Sequence, residues 1–261
     1  MGFNRATYDE AAALGYDAFL ESQLDYESID DSEWEARLAG YDFPTLDMTS
    51  QEIYDTYVDD MQGKPVEELI QATALSAIYS KRQLHERMVT FWTDHFNIEI
   101  LKGQCRWLKT ADDRDVIRQY AMTSFPELLT ASAQSAAMSF YLDNWSNVVG
   151  HAQENYAREV MELHTMGVNG GYGQGDVEEV ARCITGWAYI GPRSDAGLFG
   201  QFRFIAKNHD DGTKFVLGTE IPPGGGESDG HTVLDILVNH PSTARFIAKK
   251  MCAWFLGYNP P

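Results

Sequence analysis

Cysteine, cationic side chains and long apolar runs are all scarce in this chain of 261 residues. The three cysteines, Cys105, Cys183 and Cys252, are far apart and odd in number, with no CxxC pair among them. That argues against a disulfide framework or a cysteine zinc cage and leaves small buried thiols as the expectation. Lys and Arg number 20 against 39 Asp and Glu, a formal net charge of −19. A surface so anionic repels a phosphate backbone, so nucleic acid is not an expected partner. No stretch reaches the ~20 consecutive apolar residues of a membrane-spanning helix. The opening MGFNRATYDEA has no basic segment followed by an apolar core, so no signal peptide is visible. G-x-S-x-G and H-E-x-x-H motifs are missing, as is any internal repeat.

What is present is globular: 44% hydrophobic and 12% aromatic residues, ample for a core in one domain over 1–261. The pattern predicts a mainly α, multi-helix globular bundle with one small β-hairpin around 201–218. Two short helices hinge near Gly15. An Asp31 or Ser32 cap opens a helix closed by Gly40, and Thr49 or Ser50 opens one closed by Gly63. From Pro65 to Phe96 the apolar period fits two helices or one bent one. Further helices are expected at 111–122, 125–141, 153–166, 177–186 and 242–256, with Asp176 and Glu179 as a capping-box variant for the fourth of these. In QFRFIAKNHDDGTKFVLG, two alternating runs flank Asp211-Gly212, a favoured hairpin pair. IPPGGGESDG, 221–230, is expected to be a flexible connection without core residues.

Candidate chemistry concentrates in 143–164. On a regular helical wheel, Tyr156, Ala157, Val160, Met161 and Leu163 form an apolar stripe with His164 inside it, while Asn155, Glu159 and Glu162 share the other side. Glu154 and Arg158 are four apart and can pair. In FWTDHF the same exercise turns His95 inward and Asp94 outward. His95 and His164 can then meet from different helices, whereas His85 and His95 lie ~15 Å apart along one helix and cannot share a metal. Two readings stay open. In one, His95, Glu159 and Arg158 are catalytic, Asp143, Asn144 and Asn155 bind a ligand, and Glu159 with Glu162 holds a divalent metal in a hydrolytic pocket. In the other, the same residues form a buried network that specifies helix packing. A haem held by His95 is a weaker third idea. NGGYGQGD follows a helix and lacks GK[ST], so it reads as a connector rather than a phosphate loop.

GFNRATY, FWTDHFNI, MSFYLDNWSN, ENYAREVMELHTMGV, GYGQGDVEEVARCITGW, HDDGTKFVLG and HPSTARFIAKKMCAWF occur in this order. Together they resemble the bacterial family called domain of unknown function 1800. The resemblance implies a mostly helical domain that is exported or periplasmic and longer than this chain, of which 1–261 would be the N-terminal portion. It also implies a sulfatase-like partner protein, and a family that often carries Asn where Asp94 stands and Phe where His164 stands.

Overall fold

The computed structural model describes residues 5–59, 63–193 and 197–257. Gly2 to Asn4 of the GFNRATY stretch and the final Tyr258 to Pro261 lie outside the described residues. The fold is mainly α-helical. The helices are α1 (Arg5–Leu14), α2 (Tyr16–Leu24), α3 (Ser32–Ala39), α4 (Ser50–Tyr57), α5 (Lys64–Tyr79), α6 (Gln83–His95) and α7 (Cys105–Asp112). They continue as α8 (Phe125–Gln134), α9 (Ala136–Tyr141), α10 (Glu154–Glu159), α11 (Gln174–Cys183), α12 (Glu227–Val238) and α13 (Pro241–Phe255). Two of them run on into π-turns, Asp113–Arg118 after α7 and Val160–Thr165 after α10. Among the described residues no helix is long and apolar enough to cross a membrane.

Local chemistry explains most boundaries. Gly15, at φ 82°, makes the hinge between α1 and α2. Thr49 caps α4 in a reciprocal box with Glu52, the Glu52 N–H donating to Thr49 Oγ1 at 3.2 Å and the Thr49 N–H to Glu52 Oε2 at 2.8 Å. Gly63 does not close α4, which ends at Tyr57; it precedes α5 instead. The 65–96 period divides into α5 and α6 at Ser80, whose hydroxyl donates to buried Asp31 at 2.6 Å. Asp31 therefore ties two helix junctions together rather than capping α3 with its side chain. The expected 125–141 helix breaks at Ser135, whose Oγ accepts from the Met138 N–H and donates to buried Asp112. α11 begins three residues earlier than expected. Its cap is Gly173, and Asp176 reaches back to accept from the Gly173 N–H at 2.9 Å, while Glu179 pairs with Arg182.

The strands lie in and around the expected span, but their partners differ. β1 (Trp187–Tyr189) pairs antiparallel with β2 (Phe202–Phe204), and β3 (Lys214–Val216) with β4 (Thr219–Ile221). Asp211-Gly212 does not join β2 to β3, because Asp210 is clamped by Arg182 at 2.8 Å and the segment is held against α11. The tight turn is Leu217-Gly218, with φ of 50° and 79°, the pair of positive values that a type I′ hairpin turn needs. Nor is 221–230 free of core residues. Ile221 and Asp229 are each only 2% exposed, and α12 opens inside the segment.

The core runs from α6 through α13, and includes Phe91, Trp92, Leu128, Leu129, Met138, Tyr156, Val160, Val180, Trp187 and Leu234. Cys105 and Cys183 lie buried within it, as expected, whereas Cys252 is only partly covered; all three thiols are free. Gly230 on α12 faces Trp187 so closely that a Cβ there would sit 2.2 Å from the indole. Gly230→Ala should therefore lower stability by about 1–3 kcal/mol through overpacking. A urea midpoint equal to that of the parent would show that the helix and indole are not packed this tightly.

Candidate functional site

The helix that carries most of the candidate residues is not regular. In Val160–Thr165 the backbone widens into a π-turn, seen in the Met166 N–H donating to the Met161 carbonyl at 2.9 Å. Each widened turn takes up more residues than 3.6, so side chains beyond it rotate away from their places on a regular wheel. Leu163, expected in the apolar stripe, is 48% exposed, while His164 and Thr165 are buried. The buried positions run 156–157, 160–161 and 164–165, a period near four.

His95 is buried and fully committed. Its Nε2 stands 3.0 Å from the His164 carbonyl oxygen, which can only accept, so Nε2 carries the proton. Its Nδ1 then accepts from Lys250 Nζ at 2.8 Å. Burial, then the Lys250 charge, pushes the His95 pKa down to about 3. His164 is likewise pushed down to about 3 by burial and then by Lys250, and its Nδ1 has no hydrogen-bond partner. The two rings meet at 6.0 Å, but the bond between these residues runs from ring to backbone. With both nitrogens engaged, His95 has no lone pair to offer a metal or haem. His85 repeats the arrangement, with Nε2 3.0 Å from the carbonyl of Arg118, at the end of the other π-turn.

The other candidates form four separate sets. Asn144 donates to the Trp187 carbonyl at 3.1 Å and Asn147 to the Ala181 carbonyl at 2.8 Å, while Asn147 Oδ1 accepts from the Gln153 N–H. These buried amides stitch the loop before α10 to α11 and β1. Asp143 sits 3.8 Å from Lys102 and accepts a long 3.4 Å bond from Asn155. Arg158 pairs with Glu154 at 2.9 Å, as its spacing predicts, and donates to Gln174.

Glu159 and Glu162 are half-buried rather than enclosed. Partial burial, followed by the neighbouring Glu162 charge, raises the Glu159 pKa against the opposing pull of Arg158. Among the described residues no group of three or more His, Cys, Asp or Glu side chains is placed to hold a metal ion. The residues do not fit a metal centre built from such donors.

The sequence reading missed a second, more deeply buried cluster. Lys214 on β3, His209 and Asp229 on α12 converge with side-chain exposures of 0, 1 and 3%. Lys214 Nζ lies 2.5 Å from Asp229 Oδ2, and His209 Nε2 lies 3.2 Å from the same oxygen.

These features define a class: a mainly α-helical protein whose buried polar side chains join helices across the core. The chain belongs to the family described as proteins of unknown function, DUF1800, whose model matches residues 1–261. No curated protein and no solved structure matches the chain.

The histidines make stability depend on pH in a defined direction. Both are neutral in the fold with pKa values about 3, below the ordinary 6.5, so the unfolded chain binds more protons between these limits. The stabilisation is complete above pH 6.5 and is lost as pH falls toward 3. Each ring contributes up to about 1.4 kcal/mol per pH unit in that window. His164→Phe should remove one proton from that dependence and raise stability near pH 5, since it deletes an unpartnered buried nitrogen. Chemical denaturation across the window measures both, and an unchanged acid slope would refute the assignment.

Proposed function

We propose that the chain is a non-catalytic accessory or scaffold domain, in which the polar cluster specifies how the helices pack. One observation carries this reading: the buried candidates already have partners inside the protein. His95 uses both ring nitrogens, and the Asn144 and Asn147 amides bind backbone carbonyls. Arg158 is more open, yet it too is paired, with Glu154 and Gln174. A catalytic group needs a free atom facing its substrate. An exported or periplasmic setting and a sulfatase-like partner, both suggested by the family resemblance, suit an accessory role.

A second reading has a specific support. The raised carboxyl of Glu159 beside Glu162 is a plausible proton donor for hydrolysis, with Arg158 at hand for an anionic group.

Two measurements separate the readings. Asn147→Ala cuts its bonds to the Gln153 N–H, the Asn144 side chain and the Ala181 carbonyl, and should cost about 3 kcal/mol of stability. Glu159→Gln should leave stability within about 0.5 kcal/mol, as for other half-open surface changes. On chromogenic sulfate, phosphate and carboxylic esters, wild type and Glu159→Gln should give the same background. Turnover by wild type that disappears in Glu159→Gln would overturn the scaffold reading in favour of hydrolysis.

A further inference from the structure

The Lys214–Asp229–His209 cluster is built unlike an ordinary ion pair. Lys214 is fully buried, an uncommon state for an ammonium group, and its Nζ touches Asp229 Oδ2 at 2.5 Å. The residues lie on separate elements, β3 and α12, so the contact crosses the fold. His209 is oriented by its own hydrogen bond: Nδ1 lies 2.8 Å from the Thr185 carbonyl oxygen and therefore carries a proton. Its Nε2 is thereby aimed at the pair, 3.2 Å from Asp229 Oδ2 and 3.5 Å from Lys214 Nζ. The same ring nitrogen is therefore within proton-transfer reach of both the carboxyl oxygen and the amine. Backbone seals the other side of the carboxyl group, since a Cβ on Gly225 would meet Asp229 Oδ1 at 1.8 Å.

We propose that Lys214 and Asp229 condense spontaneously into an isopeptide bond, with His209 as the proton carrier. Proton transfer within the pair gives the neutral amine and carboxylic acid. The amine lone pair attacks the carboxyl carbon of Asp229, and the carbonyl electrons move to oxygen. His209 Nε2 takes a proton from the nitrogen and delivers it to the departing oxygen. The C–O bond breaks, the C=O re-forms, and one water leaves. Overall, an ammonium and a carboxylate become a secondary amide and water, with no oxidant, reductant or co-reactant.

Two physical effects favour the reaction here. Groups held in fixed contact react as if at effective concentrations of ~10⁵–10⁸ M. A site closed to bulk water also lacks the solvent that would reverse the condensation. The fold contains an internal comparison. Lys109 and Asp112 are also buried and in contact at 2.5 Å, but they lie on one helix and the second Asp112 oxygen is held by Ser135. Among the described residues no imidazole is bonded to that pair, so it should stay an ion pair.

Intact-mass spectrometry of the full chain tests the proposal. Wild type is expected one water lighter than its sequence mass, and Lys214→Arg and Asp229→Ala at their full sequence masses. Trypsin cuts after free lysine, so after unfolding the bonded protein should release 208–245 as one looped peptide. Its fragmentation should join Lys214 to Asp229, and trypsin should still cut after Lys109. In His209→Ala the bonded fraction at equal time should fall at least tenfold. A wild-type chain at full mass that is cut after Lys214 overturns the proposal. So does a missing water that maps to a succinimide at Asp211-Gly212 and is opened by hydroxylamine. Full bonding in His209→Ala overturns the role of His209.

Discussion

Two imidazole-to-carbonyl hydrogen bonds set the geometry on which the middle of the molecule depends. A π-turn displaces backbone carbonyls from their usual α-helical partners, and a buried carbonyl without a partner is unfavourable. α6 answers this from both ends: His85 donates to the Arg118 carbonyl and His95 to the His164 carbonyl, each at 3.0 Å. One helix thus braces both widened turns. The widened turn after α10 is what brings Thr165 into the core and turns Leu163 outward.

Ionic contacts add a second level of constraint. Although acid outnumbers base across the chain, several cations are buried or half-buried. Arg118 joins Glu86 and Asp113, Lys109 joins Asp112, and Arg182 holds the Asp210 carboxyl down to about 2. Such pairs add little net stability compared with apolar packing, because desolvation offsets attraction. Removing one partner is still costly, about 3–5 kcal/mol, so they penalise misdocked helices strongly.

Much of this was legible in the sequence where the cause is local. The Gly15 hinge, the Thr49 cap, the inward His95 and outward Asp94, and the Glu154–Arg158 pair all follow from spacing within one helix. Misreadings arose where a distant contact decides the outcome. Ser135 breaks a helix because Asp112 waits across the core. The 153–166 wheel places Tyr156, Ala157, Val160, Met161 and His164 inward as found and misplaces Leu163, because it assumes 3.6 residues per turn where the helix widens. The hairpin was misassigned because Leu217 is an unusual residue at positive φ. As for the buried triad, Lys214 alternates onto the same face as Val216, a polar residue at a core position. Its partner Asp229 stood in a glycine-rich stretch without periodicity. Which of the candidate residues already have partners depends on contacts from distant elements, such as Lys250 on His95 and the Trp187 carbonyl on Asn144, and no local spacing reveals those.

The free thiols have a practical consequence for chemical reactivity. Burial drives the Cys105 and Cys183 thiols up to about 12, so at neutral pH almost none of either is the thiolate that oxidants and alkylating reagents attack. Both also lie wholly inside the core. The molecule is therefore indifferent to the redox state of its surroundings at these positions. Cys252, only partly covered on α13, is left as the natural attachment point for a single maleimide dye. Such a label would sit two residues from Lys250 and report optically whether the last helix stays seated against His95.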